Sequence, residues 1–96
     1  MASSARPRIA FAVRGPIARE DLPGLCERVC ALLAAAEGAE AVCDVAGVPA
    51  DAVTVDALAR LQLGARRRSC SVRLRNASPE LLELLAFLGL EDVLPE

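Results

Sequence analysis

Ala41-Val-Cys-Asp-Val-Ala-Gly-Val48 is the stretch that decides the fold. From Ala41 to Val45 the chain is apolar on both sides of a two-residue repeat, with Asp44 near the end as the exception. A short apolar run bounded by a turn sequence, here Gly47-Val-Pro49, predicts a strand covered on both faces, the usual condition of a strand in a parallel sheet. Parallel neighbours need long crossovers, so helices are expected on either side of it.

Both flanks supply them. Upstream, Leu22, Leu25, Cys26, Val29, Leu33 and Ala36 recur at helical spacing, and the spacing predicts a helix over 21–36 with Asp21 as cap and Pro23 in the first turn. Gly38 supplies its stop. Further upstream, Arg8-Ile-Ala-Phe-Ala-Val-Arg-Gly15 alternates, with Ile9, Phe11 and Val13 on one face, and Gly15-Pro16 ends this strand. Downstream of the Gly47 to Val53 loop, Val55, Leu58, Leu61 and Ala65 mark a second helix, for which Thr54 is the expected cap and Asp56 a first-turn acid. Cys70-Ser-Val-Arg-Leu74 alternates as a third strand with Val72 and Leu74 inward. Ser78-Pro-Glu80 then opens a third helix, carrying Leu81, Leu84, Leu85 and Leu88 and closed by Gly89. Leu90 to Leu94 is expected to form a short terminal strand or extended tail. The order β-α-β-α-β-α-(β) predicts an α/β fold: a small, mixed, largely parallel four-stranded sheet with three main helices and right-handed crossovers. Residues 1–7 are expected to be a disordered N-terminal segment, and 8–96 the domain.

Composition narrows the chemistry. The 96 residues contain no His and no Lys, so there is no Ser-His-Asp or Cys-His pair, no usual zinc set and no Schiff-base lysine. Asp51 and Asp56 could lie together at a helix start, but capping and solvation explain both, and an enzyme using these carboxylates is a remote alternative. Eleven Arg against 13 acids gives a net charge of −2, and Phe11 and Phe87 are the only aromatics, which argues against a nucleic-acid partner. Residues 1–7 hold no apolar leader core, and no run approaches the length of a membrane span, so a cytoplasmic protein without membrane insertion is expected.

Cys26, Cys30, Cys43 and Cys70 lack the two-residue separation of metal and redox pairs. They are expected to be buried thiols acting as small hydrophobes, and neither metal nor cofactor is expected. The triplet Arg66-Arg67-Arg68 suits the negative end of a helix dipole. Leu63, Leu82 and Phe87 lie off the core stripes of their helices, as bordering core or as an apolar docking or dimer patch.

From about Ile9 to Leu94 the chain resembles the STAS domain, named for sulphate transporters and anti-sigma factor antagonists. Asp44-Val-Ala-Gly-Val48, Asn76-Ala-Ser-Pro79 and Leu88-Gly-Leu90 match three of its short motifs in order and spacing. There are two departures. The family's usual first strand would precede Ile9, where residues 1–7 are too short and polar to supply it fully, leaving an exposed sheet edge. Its Asp-Ser-Ser-Gly-Leu switch, aligned on Leu58, becomes Thr54-Val-Asp-Ala-Leu58, with Val55 in place of the phosphorylated serine. A shifted register would offer Thr54 as phosphoacceptor instead of plain cap.

The resemblance implies a non-catalytic interaction module of a bacterial cytoplasm, regulating a partner independently of phosphorylation. The implied partner is an anti-sigma factor serine kinase; the alternative is the small STAS subunit that docks on the ATPase of a lipid-transport ABC system. The surface it implies comprises Pro49, Asp51, Thr54, Val55, Asp56, Arg60 and Leu63, on a monomer or weak homodimer. Val55→Asp is expected to weaken docking more than folding, since acids are tolerated in a helix's first turn.

Overall fold

The computed structural model describes residues 8–35 and 38–96. Three strands, β1 (Arg8–Ala12), β2 (Glu40–Asp44) and β3 (Ser71–Arg75), form one sheet in the order β1-β2-β3, and both pairings are parallel. Helices α1 (Leu22–Ala34), α2 (Ala52–Arg66) and α3 (Pro79–Phe87) follow them in turn, with a 3-10 turn over Arg19–Asp21 leading into α1. The α/β alternation is as expected. The segment expected to be disordered, 1–7, lies outside the described residues, as does Ala36 at the end of the first predicted helix.

Register explains which residues make the core. Ile9, Ala41 and Val72 stand side by side, and so do Phe11, Cys43 and Leu74; this face packs under Val29, Leu33, Leu58, Leu61 and Leu81. The opposite face carries Ala10, Val42 and Arg73 in one row and Ala12, Asp44 and Arg75 in the next. One side of the sheet is therefore covered, and the other is a small-residue surface laced with charge.

The fourth strand is a correction. Leu90 to Leu94 folds into a tight turn in which the Val93 and Leu94 N–H groups both donate to the Leu90 carbonyl, at 3.0 and 2.9 Å. The cause lies just before it: Gly89 takes φ +73°, the Leu90 N–H returns to the Leu85 carbonyl at 2.8 Å and the Gly89 N–H to Ala86 at 3.1 Å, the paired bonds that end a helix on a left-handed glycine. This reversal drops Leu94 into the core and brings the tail to β3 through two carbonyls, Pro95 accepting from the Leu74 N–H at 2.8 Å and Glu96 from the Arg73 guanidinium at 3.3 Å.

The outer edge of β3 is closed chiefly by a side chain absent from the sequence reading. Gln62, 2% exposed, accepts from the Val72 N–H at 2.9 Å and donates to the Val72 carbonyl at 3.0 Å and the Val93 carbonyl at 2.6 Å. One amide thereby completes the β3 ladder and ties the C-terminal turn to α2. Gly64, two residues on, brings α2 against α1: a Cβ built there would stand 2.9 Å from Cys30 Sγ.

Capping differs in two places. Asp51, not Thr54, caps α2, its carboxylate accepting the Thr54 N–H at 2.9 Å. Asp21 precedes α1, but its Oδ2 turns back to the Ala18 N–H at 3.3 Å rather than into the helix. Ser78 caps α3 as its sequence predicts, accepting the Leu81 N–H at 3.1 Å.

Candidate docking site

The loop between β2 and α2 is shaped by backbone demands that the sequence meets residue by residue. Asp44 Oδ1 accepts the Ala46 N–H at 3.0 Å, Gly47 adopts φ +78°, and the Val48 N–H closes on the Val45 carbonyl at 3.1 Å. Asp44 Oδ2 also accepts from Asn76 Nδ2 at 3.3 Å, with Arg75 3.9 Å away, so two segments 32 positions apart meet at the C-terminal end of the sheet. The Ala46 and Asn76 hydrogen bonds hold the Asp44 carboxyl below its usual range. Gly15 supports the loop from the other side. A Cβ there would lie 2.5 Å from Pro49 Cδ and 3.2 Å from Val48 Cα, so only glycine lets the turn after β1 seat against this loop.

The helix start behind the loop is largely inaccessible. Thr54 is completely buried, and its hydroxyl makes no hydrogen bond of normal geometry. That hydroxyl does lie near the Asp51 carboxylate, which the Thr54 N–H chiefly and the hydroxyl secondarily keep below the ordinary carboxyl range. Val55 is 7% exposed and belongs to the hydrophobic core. The first-turn argument behind Val55→Asp therefore fails: at this position the new carboxylate would be forced into apolar surroundings, and folding would suffer at least as much as any contact.

The accessible part of the predicted surface is Asp51, Arg60 and Leu63, with Pro49 and Asp56 half-buried. Leu63 is 58% exposed on the solvent side of α2. Asp56 is engaged twice, with Arg60 Nε at 3.0 Å and Arg19 at 3.6 Å, so it fastens the entry to α1 onto α2 while orienting Arg60. Of the arginine triplet, Arg68 donates to the Gly64 carbonyl at 3.3 Å, an ordinary helix-end contact, and Arg66 and Arg67 are exposed. On α3, Phe87 is 86% exposed and Leu88 about half so, whereas Leu82 is half-buried.

The cysteines divide. Cys43 and Cys70 are buried, but Cys26 and Cys30 are only half-buried along the seam between α1 and α2, short of the burial expected of them. Burial and the neighbouring Asp44 push the Cys43 thiol up to about 12, and burial raises Cys26 as well. Among the described residues no three His, Cys, Asp or Glu side chains are grouped to hold a metal ion, and no helix is long and apolar enough to cross a membrane.

A parallel sheet with helices on one face, whose turn motifs meet at the strand ends beside a capped helix, defines an α/β module of the STAS type. The family model described as "Mlab, STAS domain" matches residues 2–95, and the chain belongs to the STAS domain family. No curated protein matches it.

Proposed function

We propose that the chain is a non-catalytic, cytoplasmic docking module whose contact with its protein partner is independent of phosphorylation. The observation that carries this reading is the helix start: Val55 occupies the position of the family's phosphorylated serine, and the neighbouring Thr54 hydroxyl is fully buried. A kinase needs a hydroxyl it can reach, and this helix start offers none. The contact surface is the Pro49 and Asp51 loop with Asp56, Arg60 and Leu63, an apolar side chain beside oriented charges, the composition that suits a small protein interface.

An anti-sigma factor serine kinase is one partner compatible with this surface. Docking on the ATPase subunit of a lipid-transport ABC system is the second reading, and the absent switch favours it, because such docking needs no phosphoserine. The test is to titrate the chain with a purified anti-sigma kinase and a purified ABC ATPase subunit from the same genome. Binding to one of them should weaken at least tenfold in Arg60→Glu/Leu63→Asp while the thermal midpoint barely moves. Intact mass should not change after incubation with the kinase and ATP. One added phosphate at Thr54, or unaltered affinity of the double variant for a partner that binds, would overturn the proposal.

A further inference from the structure

The two edges of the sheet are treated differently. In β3 the outward N–H and C=O of Val72 are taken up by Gln62 and the outward N–H of Leu74 by Pro95. In β1 the Val13 N–H donates to the Asp44 carbonyl at 2.9 Å, so odd-numbered residues bond to β2, and strand alternation turns the N–H and C=O groups of Ala10 and Ala12 outward. Among the described residues nothing pairs with them. Ile9 and Phe11, on the helix-covered face of this edge, remain half-exposed. Open edges of this kind are templates for another strand, and proteins ordinarily blunt them.

The edge leads into a cavity of about 460 Å³, with Val13, Ile17 and Leu25 as its apolar part. Arg14, the second residue after β1, and Arg28 on α1 also line it; neither guanidinium has an ion pair or hydrogen bond among the described residues, and Arg14 is near enough to Asp44 to help hold that carboxyl down. Glu20 and Asp21 stand at the same cavity, but the Asp21 carboxylate is turned to the Ala18 N–H. We infer that the β1 edge is a strand-addition site for an extended peptide that ends in a carboxylate, from an acidic residue or a free C-terminus. Added parallel to β1, like every other strand of this sheet, such a peptide ends beside Arg14, with its terminal carboxylate within reach of the Arg14 and Arg28 cavity.

Charge disfavours a second copy as the occupant. Antiparallel pairing of two β1 strands about Ala10 sets Arg8 of each copy against Ala12 of the other, with the other copy's Arg14 as its diagonal neighbour, so arginines gather along the pair. An acidic strand meets the same arginines favourably.

The experiment uses the full chain and a pool of synthetic octapeptides with free C-termini. Six alternating valine and threonine residues are followed by two acidic or two basic residues. Acidic members should be retained and basic ones washed through, and amide exchange at Ala10 and Ala12 should slow on binding. Ala10→Pro removes an N–H that no bond among the described residues uses, so the fold tolerates it at an edge while affinity falls at least tenfold. Arg14→Glu/Arg28→Glu should fall as far, with Arg67→Glu unaffected; this pair decides the matter if the proline variant melts early. No retention of acidic peptides, equal retention of both pools, or affinity indifferent to Ala10→Pro overturns the inference. So does binding that emerges only after deletion of residues 2–6, which would assign the edge to the chain's own leader. Concentration-dependent dimerisation abolished by Ala10→Pro would assign it to a second copy.

Discussion

Gln62 is where one substitution should do the most damage. Gln62→Leu keeps the side-chain size and deletes three hydrogen bonds, leaving the N–H and C=O of Val72 and the C=O of Val93 without their partner. Each buried backbone group so orphaned costs about 1–3 kcal/mol. The Val93 carbonyl lies in a part-buried position and can recruit water, so the penalty falls mainly on Val72, and a total of about 2–4 kcal/mol is expected. A domain of this length is stable by roughly 5–14 kcal/mol, so the loss is a sizeable fraction of the whole. In urea, where the slope is about 1–3 kcal/mol per molar, the midpoint should drop by roughly 0.7–4 M. Amide exchange should accelerate first at Val72 and Leu74, the two outward N–H groups of β3. Gln62→Glu adds a pH signature: its carboxylate would face two carbonyl oxygens, so the folded pKa rises and the variant loses stability as pH climbs above about 4.3. A midpoint for Gln62→Leu within about 0.3 M of wild type, with Val72 exchange unchanged, would refute the reasoning.

Thr54→Val removes a buried hydroxyl that lacks a well-formed hydrogen bond and should leave stability unchanged or raise it by up to about 1 kcal/mol, measured by urea titration; a loss beyond that would mean the Asp51 contact is a true bond. Gly64→Ala should destabilise by forcing Cys30 Sγ aside, and Cys30→Ala should rescue it, with a coupling of about 0.5–2 kcal/mol in a double-mutant cycle. Burial, with the neighbouring Asp44, holds the Cys43 thiol protonated in the fold up to about 12. Its unfolded thiol ionises near 9, so the native state loses up to about 1.4 kcal/mol per pH unit above 9. Cys43→Ala, less stable at pH 7 through lost packing, should show a shallower alkaline decline in thermal midpoint.

How much could be read from the sequence follows from the range of the forces involved. Strands and helices were legible because apolar spacing and caps such as Ser78-Pro79 act within a few residues. The choice between Thr54 and Asp51 as cap was not, since either oxygen can reach an orphan N–H and only the burial of Thr54 by tertiary packing decides. Leu90 to Leu94 misled for a related reason: its apolar residues suit a strand, but the two bonds formed around Gly89 commit the chain to a turn before a strand can begin. Gln62 carried a signal that went unused. It stands one position from Leu61 and four from Leu58, inside the apolar stripe, and a polar residue there has to find partners.

The matching motifs, placed in the fold, bear on architecture more than on signalling. Asp44 bonds Ala46 and Asn76, Gly47 and Gly89 take left-handed backbone that other residues rarely adopt, Asn76 itself stands at φ +61°, and Ser78 caps α3. These contacts fix the ends of β2 and β3 relative to the start of α2. By the resemblance Val55 stands at the position of the family's switch serine, and here it joins the core behind the Asp51 cap. On the docking reading proposed above, the chain presents the same loop and helix face in one state, and its regulation comes from the abundance of its partner.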